Sequence, residues 1–381
     1  MIPRGEPAER AKAARAEGVF AIPVNKRPLP DLATSATLPR ALEYAFNASG
    51  EIEASYREWR AALERIPQAG ALADPKLDFS FLFDAANLGS FTGILNSVRI
   101  MASQELPAKG KREAKASQAL AEAQAAGEKF RAARFALQKR VVQAYADLAL
   151  NRALVNQTSD TLRLLGQSHE VALHRYHEGG DTVLADLRKF EVEIQTAESD
   201  QRALQIQQSS LVAALNGILN RKPDAPVGQL GLPRVEAPPT PDAELFARAV
   251  RGNPELASLR REIEARGAAQ VLAGLEKRPD YTIGGGLDNP LMPIVTLSMT
   301  LPINHERIRA GIAEMLQNRQ AAEARLRSAE FDTQARLVMA LAILRDAERV
   351  TRGLSRRHPP QDPRAAGHAA CHLRQRRRGG A

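Results

Sequence analysis

Histidines are the first residues to test for chemistry. His169, His174 and His177 lie close together, and His174 and His177 share a helical face with Glu170 one turn earlier. Imidazole and carboxylate are metal-ligand types, but a metal centre needs a fixed third or fourth ligand. Solvated helix residues account for this pattern better. His358, His368, Cys371 and His372 fall in a C-terminal stretch with no apolar period. Cys371 is the sole cysteine, so no disulfide forms within the chain, and the body holds no thiolate for nucleophilic attack or zinc binding. No Gly-x-Ser-x-Gly element is present. Gly284-Gly285-Gly286 sits in an alternating stretch and is followed by Leu287 rather than a helix start, so it is no phosphate loop. Glu191 and Glu193 belong to a solvated helix face. These residues predict no enzyme, no catalytic residue, no cofactor and no metal site.

The elements that carry these residues are more informative. Lys111 to Asn220 is nearly all helix formers, interrupted at His177-Glu178-Gly179-Gly180-Asp181. Before the interruption the run has no proline and two glycines, Gly127 and Gly166. At about 1.5 Å per residue, Lys111 to Tyr176 makes roughly 100 Å of helix. Leu137, Val141, Ala144, Leu148, Val155, Leu162 and Leu165 return at alternating spacings of three and four, with Asn151 and Thr158 as polar intrusions. A second seam follows at Leu184, Leu187, Ile194, Leu204, Leu211, Leu215 and Leu219. Two seamed helices around a double glycine predict an antiparallel hairpin over 111–220. Such a hairpin cannot bury itself alone.

Residues 1–36 are Pro- and Ala-rich and read as an extended N-terminal arm. A helix is expected from about Thr37 to Ala73, with Leu38, Leu42, Ala45, Ile52, Tyr56, Trp59 and Leu63 as its apolar positions, ended by Asp74-Pro75. The period then changes from 3.6 to 2. Leu77, Phe79, Phe81 and Phe83 alternate with Asp78, Ser80 and Asp84, predicting a strand over about 77–84. A second strand is expected over about 97–106, ended by Leu106-Pro107. After the hairpin, Arg221 to Pro241 holds six prolines and reads as a surface linker, 222–241.

Then the plan recurs. A helix is expected over Asp242 to Glu276, strands over about 280–287 and 293–301, and a long helix from about His305 to Val350. Glu51 matches Glu255 and Pro75 matches Pro279 at one offset, and Leu106-Pro107 matches Leu301-Pro302 at another, shorter by nine residues lost between the strands. The first repeat is 37–221 and the second 242–351, the latter truncated because no returning helix follows. Residues 352–381 read as a disordered basic tail, either an out-of-frame end or a basic binding tail.

Charge supports this division. The chain carries a net +9, but residues 352–381 hold +7 of it, leaving the body near neutral. Aromatics are only 4%, which suits extended helical packing rather than one compact core. No stretch reads as a transmembrane helix. No signal peptide is visible in this sequence, which taken literally would mean the cytoplasm.

This order of elements resembles the TolC-like outer membrane efflux family. Arg251-Gly252-Asn253-Pro254-Glu255-Leu256 resembles the Asn-Pro-Glu-Leu that opens a repeat. The same place in the first repeat reads Asn47-Ala48-Ser49-Gly50-Glu51-Ile52. Ser103-Gln104-Glu105-Leu106-Pro107 with Gly110-Lys111 resembles a Ser-Gln-x-x-Pro and Gly-Lys element. Tyr176-x-x-Gly179 with Asp186-Leu187 is similar to the family's helix turn, and Leu215-Asn216-x-x-Leu219-Asn220 to the end of the returning helix. The resemblance covers roughly 37–352, without an N-terminal lipid-anchor cysteine or a second Tyr-x-x-Gly turn.

The resemblance implies a mainly α fold with a small membrane β part: two repeats of helix, strand, strand, long helix, assembled as a trimeric α/β-barrel. It implies a passive exit duct of a tripartite efflux system, exporting small molecules or metal ions. Its partners would be two further copies, a periplasmic adaptor, an inner membrane pump and outer membrane lipid, with no nucleic acid. Phe79, Phe81, Phe83, Val295, Leu297 and Met299 would face lipid, and Asp78, Ser80, Thr296 and Ser298 the lumen. Tyr176, Gly179, Gly180 and Asp186 would form the tip that docks the adaptor. A soluble coiled-coil scaffold is the alternative.

Overall fold

The computed structural model describes residues 3, 5–83, 95–178, 183–232, 241–288 and 292–357. In chain order the elements are α1 (Glu6–Glu17), α2 (Leu38–Ala48), α3 (Gly50–Gly70), β1 (Lys76–Phe83), β2 (Leu95–Leu106), α4 (Lys111–His177), α5 (Val183–Ile218), α6 (Asp242–Gly252), α7 (Pro254–Leu275), β3 (Asp280–Asp288), β4 (Met292–Thr300) and α8 (His305–Arg357). The chain divides into two compact units, Met1–Arg234 with Pro254–Leu326, and Val235–Asn253 with Arg327–Ala381.

The first unit is built on α4. Its early turns take α3 on one side and α7 on another, and α5 runs back along the rest. The core is aromatic at one point and aliphatic elsewhere. Phe20 stacks on Tyr56 at 5.1 Å, and Trp59 stacks on Phe130 at 5.7 Å. Leu137, Val141, Tyr145 and Leu148 of α4 are buried with Leu215 and Leu219 of α5. Asn151, 3% exposed, fixes the hairpin's alignment by donating its Nδ2 to Leu204 O at 3.2 Å and Gln207 Oε1 at 3.3 Å. A buried amide nitrogen that finds its acceptors in one alignment favours that alignment.

Three expectations are corrected here. The N-terminal arm is not extended over its length, because Glu6–Glu17 form a helix. Its buried face holds Glu6 and Glu9 as well as Ala13, so it shows no apolar period to read. Ion pairs replace that period. Arg10 bonds Glu6 and Glu64, each at 2.8 Å, and Lys12 bonds Glu9 at 3.0 Å. Farther on, the Arg27 side chain, 1% exposed, donates to Ile22 O, Asn47 O and Glu53.

The second correction is that each repeat's opening helix is two helices. Ser49 breaks the first with φ −70° and ψ 116°, and Asn253 breaks the second with φ −71° and ψ 115°. These residues are equivalent in the repeat, so the backbone itself repeats. Pro254 disfavours the α region for Asn253. At Ser49 the hydroxyl caps α3 by accepting from Ile52 N. The third correction concerns the tail: α8 continues to Arg357 rather than stopping near Arg352. No proline interrupts it before Pro359, and backbone hydrogen bonding needs no apolar period.

The Pro-rich segment after α5 is held down where it is described. Arg152 donates to Gly228 O and Val227 O, and Tyr145 Oη exchanges hydrogen bonds with Gly231. Burial holds the Arg152 guanidinium below its ordinary pKa. Asn216, fully buried, donates to Pro223 O and Ala225 O. In the second unit, α6 is tied to the later part of α8 by the Asp242–Arg345 pair and by Asn253 Nδ2 to Thr333 Oγ1 at 3.4 Å.

Candidate functional site

The four strands form one antiparallel sheet in the order β1-β2-β3-β4. Strand alternation gives each strand two faces, and register decides which faces join. Here the joining is complete. Leu77 lies beside Ala102, Phe79 beside Ile100, and Phe81 beside Val98. Ile100 lies beside Leu287, Gln104 beside Ile283, and Leu106 beside Tyr281. Ile283 lies beside Leu297, Gly285 beside Val295, and Tyr281 beside Met299. One face is therefore apolar across all four strands, with Gln104 its polar exception.

The opposite face carries Asp78, Ser80, Arg99, Ser103, Thr282, Asp288, Thr296 and Ser298, with Met101 and Ile294 among them. Arg99 and Asp288 pair on it at 2.8 Å. Exposure distinguishes the two faces in β3. In β3, Tyr281, Ile283, Gly285 and Leu287 are exposed while their alternates are sheltered. Val295 is 85% exposed and Leu297 73%. Apolar side chains this bare, in a continuous layer, mark an interaction surface.

The residues expected to face lipid thus share one face: Phe79, Phe81, Val295, Leu297 and Met299. Those expected to face the lumen, Asp78, Ser80, Thr296 and Ser298, share the other. The Phe83 backbone is in β1, but its side chain lies outside the described residues. Gly284-Gly285-Gly286 is strand backbone, paired with Met101, Ala102 and Ser103.

The junction between sheet and helices holds residues whose role the sequence did not disclose. Lys111, at the start of α4, is 3% exposed. Its Nζ lies 2.8 Å from Asp280 Oδ2 and 3.5 Å from Glu276 Oε2. Asp280 Oδ1 accepts from Ala108 N at 2.7 Å. Arg278 donates to Lys109 O at 2.6 Å. Gly110 turns the chain with φ 93°, a left-handed conformation that glycine adopts without strain. The Gly-Lys element thus clasps the β2–α4 joint of the first repeat to the α7–β3 joint of the second. The missed partner, Asp280, carried only a weak signal: an acid beside Pro279 at a strand start.

At the far end of the hairpin, Glu178 N donates to His174 O and closes α4. Tyr176 is 40% exposed and meets His177 edge to face at 6.0 Å. Asp186 lies in the first turn of α5, where a carboxylate complements the helix dipole. An open groove of about 530 Å³ lies between the two helices, lined by Leu164, Val171, Arg175, Asp186 and Phe190 among others. Gly179 and Gly180 lie outside the described residues. Among the described residues, no group of three or more His, Cys, Asp or Glu could hold a metal, and no helix is long and apolar enough to cross a membrane.

A long helical hairpin set on a small antiparallel sheet with one exposed apolar face defines a narrow class of fold. Solved structures that align with this chain include outer membrane channels. The MtrE outer membrane channel of Neisseria gonorrhoeae, in its open state, aligns over 90% of this chain and 80% of its own, with a TM-score of 0.71 and 18% identity. The transmembrane channel CusC aligns over 88% and 82%, with a TM-score of 0.69 and 17% identity. A membrane protein from Pseudomonas aeruginosa aligns over 92% and 84%, with a TM-score of 0.67 and 20% identity. No family profile and no curated protein matches the sequence. The chain has the fold of the TolC-type outer membrane channels.

Proposed function

We propose that three copies of this chain form a passive exit duct of a tripartite efflux system in the outer membrane. The observation that carries the reading is the sheet. It is apolar on one face, polar on the other, and has no paired strand beyond β1 or β4 among the described residues. Open strand edges are not tolerated in hydrocarbon, so a four-stranded sheet spans a bilayer only inside a closed barrel. Four strands from each of three copies give twelve, within the range of outer membrane barrels. Phe79, Phe81, Val295, Leu297 and Met299 then meet lipid, and Asp78, Ser80, Thr296 and Ser298 line water.

The helices extend the lumen through the periplasm. Leu150, Leu164, Val171, Val192 and Ile206 on the hairpin are 52–73% exposed, and further copies would cover such residues in a closed tunnel. The tip, Tyr176 with Gly179, Gly180 and Asp186, is the docking point for a periplasmic adaptor, and the adjoining groove adds Arg175 and Phe190. The duct performs no chemistry. Its solutes are small molecules or metal ions, and an inner membrane pump supplies the energy through the adaptor.

Fractionation and planar-bilayer recording test this reading together. The expected result is an outer membrane trimer that conducts ions after reconstitution. A water-soluble rod that gives no conductance would overturn it and favour the coiled-coil scaffold.

A further inference from the structure

The clasp at Lys111 has a counterpart that the single chain cannot make. The offset that matches Leu106-Pro107 to Leu301-Pro302 places Glu306 where Lys111 stands, in the first turn of the long helix, and Lys76 stands where Asp280 does, at the first position of the strand. The charges are exchanged. Within the chain, a basic residue on the helix meets an acid on the strand. In the second set, the acid is on the helix and the base is on the strand.

The residues that follow Lys111 and Glu306 each lie near the end of the repeat's preceding helix. Arg112, next to Lys111, donates to Gly70 O at the end of α3. Arg307, next to Glu306, borders a groove with Ala273 and Glu276 at the end of α7. Lys76 and Glu306 are nevertheless both exposed, and neither has a side-chain partner among the described residues. They belong to opposite edges of the sheet, β1 and the β4–α8 joint. Among the described residues, α8 also lacks the extensive helix packing that α4 makes with α7.

We infer that Glu306 of one copy pairs with Lys76 of the next, forming between copies the clasp that Lys111 and Asp280 form within one. The occupant of the open edge is a second copy of this chain, chosen by charge complementarity as well as by strand pairing. Exchanging the polarity also separates the two joints. A β4–α8 joint that approached the Asp280 site would bring Glu306 against Asp280, and like charges there repel. The inference rests on the three-copy reading and adds to it the contact that fixes the order of copies.

The test is a charge exchange read by assembly state. Lys76→Glu and Glu306→Lys are made singly and together in the full chain, then purified in detergent and weighed by light scattering at matched concentrations. Each single variant should hold trimer at least about tenfold less tightly. The double variant should return to within about twofold of the parent. Helicity by circular dichroism identifies a single variant that fails to fold. In that case a Lys76→Cys/Glu306→Cys chain, with Cys371→Ser and a short bis-maleimide, supplies the readout, and covalent dimers and trimers are expected. Singles that assemble like the parent, a double no better than the singles, or the absence of cross-linked copies would overturn the pair. A parent chain that is itself monomeric would instead overturn the three-copy reading.

Discussion

Removing Asp280 should cost more than removing both members of its ion pair. Lys111 Nζ and Asp280 Oδ2 are 2.8 Å apart, and the Lys111 side chain is 4% exposed. At an effective dielectric near 20, their attraction is about 6 kcal/mol, most of it offset by the desolvation of both charges. Breaking such a buried pair by deleting one partner costs about 3–5 kcal/mol, because the other charge is left buried. Two features move this pair to the lower end. Asp280 is 25% exposed, and Glu276 remains 3.5 Å from Lys111. Asp280→Asn keeps an oxygen for Ala108 N, so its cost is the charge alone, about 2–3 kcal/mol. Lys111→Met with Asp280→Asn removes both charges and should lie within about 1 kcal/mol of the parent. At about 2 °C per kcal/mol, the single variant should melt about 4–6 °C below the parent and the double within about 2 °C. Far-UV circular dichroism in one detergent at fixed protein concentration reads both, since assembly makes melting concentration-dependent. A single variant that melts with the parent, or a double as unstable as the single, would refute the clasp.

Three further outcomes follow from other contacts. Gly127 on α4 has no room for a methyl, since a Cβ there would lie 2.9 Å from Trp59 and 3.0 Å from Glu9 Oε1. Gly127→Ala should therefore destabilise by about 1–3 kcal/mol despite its better helix propensity, as a melting curve would read. Arg10 holds the Glu64 carboxyl below its ordinary pKa by hydrogen bonding. A depressed carboxylate stabilises the fold above its unfolded pKa and ceases to as pH falls through the folded value. Protease cleavage within 1–36 should accordingly rise below about pH 4 and stay flat from pH 6 to 8; the effect is small because Glu64 is 54% exposed. In lipid, Leu297→Arg should cost about 2–4 kcal/mol while Ser298→Arg costs less than about 1, measured by urea unfolding in vesicles.

The strands were legible because alternation is local. Leu77, Phe79 and Phe81 need only their own sequence to show two faces. The merging of four such faces was not legible, because register is a contact between β2 and β3 across nearly two hundred residues. The same distance hid Asp280 from Lys111. Helix α1 was missed for a different reason, since it docks through Glu6, Glu9 and Arg10 rather than through an apolar stripe. The breaks at Ser49 and Asn253 were partly visible, as Pro254 marks one of them. Ser49-Gly50 carries no such mark, and only the repeat relates the two.

The central claim is that one face of this sheet meets lipid and the other water. Single cysteines at 79, 295, 297 and 299, and at 78, 80, 296 and 298, can be spin-labelled in a Cys371→Ser chain reconstituted into vesicles. Power saturation with oxygen and with a water-soluble nickel complex then reads each site. The first four should be accessible to oxygen and shielded from nickel, the second four the reverse, alternating along each strand. Equal nickel accessibility at both sets would contradict the account.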